Sequence, residues 1–326
     1  MGIEPSDAYK TAFVTHRGLY EWLTLPFGIL TASSAFQRVM DDTLRPHSDY
    51  SCAYIDDSAC FSLGWNDHMC HLDNVFTAFE DINMSLKFAK CKFARSQTKF
   101  IGHVVGSGSR SPALDKVEAI RLLPEPTTKK LVRGFLGMVS FFRAYIPNFS
   151  YIALPLTDLT KDCAPNKITL NDTQRTAFCT LKDKLCNYTL LYAIDFNKCF
   201  HLFTDSSDVA VGVALTQVRD SDDTHLPVAF ASSKLTPTQC RWSTIEREAY
   251  GVVFGLRKFE HIIYAKEVNI WSDHDPLSFL TTSMPQSSKL IRWSLCLSKF
   301  NYTLRHISGS ANKVADYLSR APFSTV

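Results

Sequence analysis

A multidomain chain that mixes α/β and α+β parts is what the sequence predicts, and three observations carry that expectation. The 326 residues are 45% apolar, enough for two or three modest cores, and no long Pro/Gly/Ser tract argues for disorder. A Gly/Ser-rich stretch from Gly106 to Ser111 marks a first boundary between two differently patterned regions. Beyond residue 200, three strand-like runs of period two precede an alternation of helix and strand, the order of a mixed sheet with helices flanking it.

Taken along the chain, the first third combines helical patterns with a short apolar hairpin around Tyr54 to Asp57, whose adjacent acids Asp56 and Asp57 sit at the tip. From Ala113 to about Lys161 the pattern is helical, interrupted at Pro124 and Pro126, with an aromatic helix from Val132 to Tyr145 closed by Pro147. A helical run from Asn171 to Leu185 leads into the third region. There the expected strands are Phe200 to Thr204, Val209 to Val218, Pro227 to Ser232, Val268 to Ser272 and Tyr302 to Ile307. Helices are expected at Ile245 to Ile263, in two stretches after Ser272, and at Asn312 to Ser319.

Composition excludes some classes. A formal charge of +3 is too small to announce a nucleic-acid binder by its net field, so any such role rests on local clusters. Lys87, Lys90, Lys92, Arg95 and Lys99 form one such cluster, and Lys129, Lys130 and Arg133 another; solvated helix faces are the alternative reading of both. No apolar run approaches the roughly 20 residues that span a bilayer, and no signal-like segment opens the chain. The ten cysteines contain no C-x-x-C pair, which fits a reducing, intracellular setting. His68, Cys70 and His71 are the nearest approach to zinc-ligand spacing but lack a second half.

Acids in the third region carry the chemistry. Asp205 and Asp273 each directly follow an apolar strand, so both fall at carboxyl ends; two turn-capping acids are the alternative. Of the acids in the long helix, Glu246 stands at capping-box spacing from Ser243, which occupies it with backbone N–H groups. Glu248 is left over, and helical steps from it reach Val252, Leu256 and Phe259, a stripe expected to face the sheet. A carboxylate entering a buried face next to others calls for a cation, and a hard divalent ion suits oxygen donors. Asp316 lies among Val314, Ala315 and Leu318 on the last expected helix.

The runs TDSS at 204–207, VGVALTQ at 211–217, PVAFASSKL at 227–235, YGVVFGLRKFEHII at 250–263, WSDHDPL at 271–277 and NKVADYLSR at 312–320 resemble the RNase H domain of gypsy-type LTR retrotransposons. That resemblance implies that Asp205, Glu248, Asp273 and Asp316 bind two Mg²⁺ ions per site, or Mn²⁺, and that the reaction is hydrolysis of RNA in an RNA–DNA hybrid. LPFG at 25–28, AFQ at 35–37, YIDD at 54–57, KFAKCKF at 87–93 and FIGH at 100–103 resemble the palm of the same reverse transcriptases, and RGFLGMVSFFRAYIPNFS at 133–150 resembles their thumb and connection.

Carried over residue by residue, the match makes Asp56 a metal ligand, Asp57 its partner and Lys90 a proton donor to pyrophosphate. Phe27, Gly28 and Gln37 then approach nucleotide and template, Gly102 and His103 hold the primer end, and Arg292 in LIRW contacts the hybrid backbone. The resemblance divides the chain into a partial palm at 1–112, thumb and connection at 113–165, a tether at 166–199 and RNase H at 200–326. Thr31-Ala32-Ser33 departs from the family's Asn-Ala-Pro. The expected first palm strand, with a further Asp, and the fingers precede the matched stretch, so an N-terminally truncated polymerase site is the expectation, with RNase H as the complete activity. The alternatives are a catalytically inactive nucleic-acid-binding remnant and a full polymerase encoded further upstream. Expected partners are RNA–DNA hybrid and template–primer, in a homodimer or a polyprotein and with no membrane. The expected location is cytoplasmic or nuclear, including virus-like particles.

Overall fold

A computed structural model describes residues 1–272 and 288–307, in two compact units, 1–101 and 102–326. In the first unit, strands β1 (Phe13–Thr15) and β2 (Gly18–Tyr20) form a small hairpin, followed by helix α1 (Ala32–Leu44). Strands β3 (Ser51–Tyr54) and β4 (Asp57–Cys60) pair antiparallel with Tyr54 opposite Asp57, which leaves Ile55 and Asp56 as the turn. Helix α2 (Trp65–Asp81) follows, and then strand β5 (Gln97–Phe100). Met40 and Leu44 of α1 pack with Val75 and Phe79 of α2 in a core of their own, the i, i+4 spacing on each helix supplying one apolar face.

The second unit opens with a hairpin of β6 (His103–Gly106) and β7 (Ser109–Pro112). The Gly/Ser run is the turn of this hairpin, with Ser107 and Gly108 both at positive φ. Helices α3 (Leu114–Arg121), α4 (Lys129–Phe141), α5 (Phe149–Ile152), α6 (Leu154–Asp158) and α7 (Asp172–Cys186) come next. The aromatic run thus ends as a helix at Phe141 and continues through a 3₁₀ turn at Arg143–Tyr145. Asn171 and Gln174 form a capping box that starts α7, and the short strand β8 (Leu191–Tyr192) pairs with β7.

Strands β9 (Phe200–Ser206), β10 (Ala210–Val218) and β11 (His225–Lys234) form an antiparallel meander. The chain continues through a short helix, α8 (Pro237–Cys240), into α9 (Thr244–Lys258), which breaks at Phe259 before α10 (Glu260–Ile263). Strand β12 (Glu267–Ser272) then runs parallel to β9, helix α11 spans Ser288–Leu297, and β13 (Asn301–His306) runs parallel to β12. The sheet order is β11-β10-β9-β12-β13, the mixed sheet expected from the element order.

Strand alternation gives this sheet two buried faces. Phe200, Leu202, Val213 and Ile270 pack under α9, α10 and α11, whereas Phe203, Ala214, Phe230 and Trp271 join Val132, Phe135, Phe178 and Leu181 from α4 and α7. Covered on both faces, β10 reads as a nearly continuous apolar run, as a central strand should. Among the described residues, no helix is long and apolar enough to cross a membrane.

Candidate active site

The two described acids of the third region lie on β9 and α9, two elements that meet at the residues next to them. Asp205 follows Thr204 near the end of β9 and pairs with Gly212. The next residue, Ser206, donates its hydroxyl to the carbonyl of Arg247 at 3.0 Å, and Arg247 directly precedes Glu248. Helix and strand approach so closely here that a Cβ on Gly251 would lie 2.8 Å from Ser206 Oγ, so glycine is what admits the contact. Arg247 also pairs with Asp208 in the turn after β9, a second tie between the segments carrying the two acids.

The division of labour between Glu246 and Glu248 matches the helical-phase expectation. Ser243 N donates to Glu246 Oε2 at 3.1 Å, and Glu246 N donates to Ser243 Oγ at 3.3 Å, completing the capping box. Lys289 Nζ donates to the same carboxylate at 2.9 Å, and this bond is the main cause holding the Glu246 carboxyl below its usual range. Glu248 is 4% exposed, and Val252, Leu256 and Phe259 behind it are buried.

Asp205 belongs to the sheet face turned away from α9. Register sets it beside Gly212 and Ser232 across the meander, and these residues line a small pocket with Ser207, Asn148 and Tyr151. The carboxylates of Asp205 and Glu248 are hard oxygen donors of the kind that suit Mg²⁺ or Mn²⁺. Asp273 and Asp316 lie outside the described residues; among the described ones, no three His, Cys, Asp or Glu side chains gather as a metal site. His306 is exposed at the end of β13 opposite Ser272, and Arg292 is exposed on α11.

In the first unit, Asp56 and Asp57 are exposed at the β3–β4 tip. Ile55 is held at φ 54°, a left-handed conformation that a β-branched residue rarely adopts. Gln37 fixes that turn: its Oε1 accepts from Ile55 N at 2.6 Å, and its Nε2 donates to Ala53 O at 3.1 Å and to Asp41 Oδ1 at 2.7 Å. Both ends of the Gln37 amide thus shape the acidic turn. Phe27 is fully exposed, Gly28 sits at φ 96°, and Lys90 is exposed in a 3₁₀ turn.

Gly102 and His103 fall in the second unit, against α4. Gly102 adopts φ 75°, and an added Cβ would meet Phe141 at 3.2 Å. The His103 ring stacks on Phe141, and its Nδ1 shares a hydrogen bond of 2.9 Å with Tyr145 Oη. Burial, and secondarily the charge of Arg110, lower the His103 pKa.

One sequence reading changes in the structure. Lys129 is buried, with Nζ donating to Lys161 O at 2.8 Å and Asp162 O at 3.3 Å, and Arg133 Nη2 donates to Thr160 O at 2.8 Å. These cations tie α4 to the chain after α6, and only Lys130 of that cluster is exposed without such a role. His68 and His71 both turn Nδ1 to Ser62 Oγ, at 3.2 and 2.7 Å, while Cys70 is exposed. Sequence reading missed Ser206, Gly251, Arg247 and Asn148; the small Gly251 on an otherwise apolar helix face is the one local signal that pointed to a close approach.

Two segments of the chain have counterparts among known families. Residues 2–105 match the family described as reverse transcriptase (RNA-dependent DNA polymerase), and residues 195–300 match the RNase H-like domain found in reverse transcriptase. The molecule is thus a polymerase-type unit followed by an RNase H-type sheet.

Over 95% of its length the chain is 37% identical to the retrovirus-related Pol polyprotein from transposon 297 of Drosophila melanogaster. Over 98% it is 36% identical to that from transposon opus of the same fly. It spans 29% and 33% of those relatives. A foamy viral protease-reverse transcriptase solved with double-stranded DNA superposes on 94% of the chain, and the chain on 54% of it, with TM-score 0.82 at 20% identity. The same viral protein with an RNA/DNA hybrid gives TM-score 0.80, covering all of this chain and 44% of the other. These structural likenesses establish the fold. The chain belongs to the reverse transcriptase and RNase H family of LTR retrotransposon Pol polyproteins.

Proposed function

We propose that the third region hydrolyses the RNA strand of RNA–DNA hybrids, with Asp205, Glu248, Asp273 and Asp316 as carboxylates for two divalent metal ions. The observation that carries this reading is the Ser206–Arg247 contact, which joins the backbones immediately beside Asp205 and Glu248. Mg²⁺ held there would lower the pKa of a bound water, so that its hydroxide form could attack phosphorus, and would offset charge on the departing oxygen. The protein's part is to hold the carboxylates on rigid elements, a strand end and the second turn of a capped helix, and to orient the hybrid backbone through cations such as Arg292. Glu248 keeps its carboxylate in a largely dry seam, where an ion-bridged arrangement is favoured over isolated charge.

The first unit takes the polymerase role in this reading, with Asp56 and Asp57 at the metal, Lys90 as proton donor and Phe27, Gly28 and Gln37 beside nucleotide and template. Gly102 and His103 contact the primer. The foamy viral relatives solved with duplex DNA and with a hybrid support the choice of nucleic-acid partner.

The test is cleavage of an end-labelled hybrid by the full chain in Mg²⁺, comparing wild type with Asp205→Asn and Glu248→Gln. Loss of cleavage in both variants supports the assignment. Folded wild type that binds hybrid without Mg²⁺-dependent cleavage means a nucleic-acid-binding remnant instead.

A further inference from the structure

The pocket beside Asp205 has one wall that comes from outside the RNase H-type sheet. Asn148, in the turn just before α5, lines it with Tyr151, facing Asp205, Gly212 and Ser232. Asn148 is 5% exposed and adopts φ 56°, a left-handed conformation that Asn tolerates better than most residues. Its side-chain Nδ2 is buried and makes no hydrogen bond within the protein. A buried amide donor ordinarily finds an acceptor, and the pocket, about 10 Å³, has room for one water.

The wall is fastened where it needs to be. Ser150 N donates to Ser232 Oγ at 2.9 Å, Ser150 Oγ donates to Ser232 O at 2.9 Å, and Arg143 Nη2 donates to the same carbonyl at 2.5 Å. Ser232 lies two strands away from Asp205 in the same cross-strand row, through Gly212. Gly212 between them has no side chain to fill the space above the sheet.

We propose that Asn148 is a positioning residue for the nuclease: its amide donates, through a water in the pocket, to the Asp205 side of the metal site. The helical connector thereby sets the metal affinity of the RNase H-type domain. This rests on the nuclease reading given above. Partners that orient a ligating carboxylate change metal affinity by roughly 10–100-fold when removed.

The measurement is Mn²⁺ binding to the full chain, followed by the loss of the free-ion paramagnetic resonance signal, alongside the Mg²⁺ dependence of hybrid cleavage. Three variants are compared with wild type. Asn148→Gly keeps the left-handed backbone while deleting the amide. Ser150→Ala loosens the connector but leaves the amide. Asp205→Asn reports on the site itself.

The expected result is Mn²⁺ binding weakened about tenfold or more by Asn148→Gly. The Mg²⁺ needed for half-maximal cleavage should rise in parallel, with the rate at saturating Mg²⁺ nearly retained and Ser150→Ala close to wild type. Wild-type Mn²⁺ affinity in Asn148→Gly overturns the inference. So does equal weakening by Ser150→Ala, which means that connector docking and not the amide is responsible. If Asp205→Asn also binds Mn²⁺ as wild type does, the nuclease reading itself fails; if only Asp205→Asn weakens binding, that reading stands and the role of Asn148 falls.

Discussion

Ser206 Oγ lies 3.0 Å from the carbonyl oxygen of Arg247 and 2.8 Å from where a Cβ on Gly251 would stand, so one serine both joins and limits the approach of α9 to β9. Gly251→Ala should therefore destabilise the fold by about 1–3 kcal/mol, the usual cost of overpacking, despite alanine's better helix propensity. Adding Ser206→Ala should recover part of that loss, because the clashing atom is the hydroxyl. Urea unfolding of the two single variants and the double variant measures the coupling, and simple additivity would count against this picture of the seam.

The β3–β4 turn stores strain at Ile55, φ 54°, next to Asp56. Replacement by Gly should stabilise the first unit by about 1 kcal/mol, the relief of a left-handed β-branched residue exceeding the entropy cost of glycine. Thermal unfolding of Ile55→Gly and Ile55→Val decides it: a Val variant as stable as the Gly variant would mean that the turn is not strained.

His201 sits on the connector-facing side of β9, accepting from Trp271 Nε1 at 3.0 Å, with His225 edge-on at 4.8 Å. Burial first, then His225 and Arg305, lower its pKa to about 4. A histidine depressed in the folded state binds more protons when unfolded, so stability rises with pH through this window. The thermal midpoint should be highest above pH 6.5 and fall as pH drops towards about 4. In His201→Gln this decline should be shallower, with a residual part from His225, whose pKa burial also lowers. An unchanged pH profile in that variant would assign the acid sensitivity elsewhere.

Arg143 reaches from the 3₁₀ turn to Ser232 O at 2.5 Å, with its guanidinium 5.2 Å from the Phe149 ring centroid. Arg143→Ala should cost about 1–3 kcal/mol, since a half-buried charge-assisted bond and a ring contact go together. Arg143→Lys should recover only part, because an ammonium cannot reproduce the planar fork. Chemical denaturation reads both, and full recovery by lysine would reduce the role of Arg143 to charge alone.

The features legible in the sequence follow local rules. The mixed sheet came from strand periodicity and element order, and Glu248 was separated from Glu246 by a capping box lying entirely within Ser243–Glu246. What escaped depended on partners distant in sequence. Lys129 reads as a surface cation until it meets carbonyls 32 and 33 residues later, and the hold of Gln37 on the acidic turn comes from its bond to Ile55, 18 residues on. Asn148 follows Pro147 and signals a turn, yet nothing local says that Ser232, more than 80 residues away, will hold its neighbour over Asp205. Periodicity also carried the long helix through Phe259, where the structure breaks it.

The most direct test of the central claim exploits the two acids two positions apart on α9. Hybrid cleavage in Mg²⁺ should fall to background in Glu248→Gln, which changes one buried carboxylate at the seam. In Glu246→Gln it should persist near the wild-type rate, with at most about 1 kcal/mol of lost helix capping seen in unfolding. Cleavage surviving in Glu248→Gln, or lost equally in a folded Glu246→Gln, would contradict the assignment of the site.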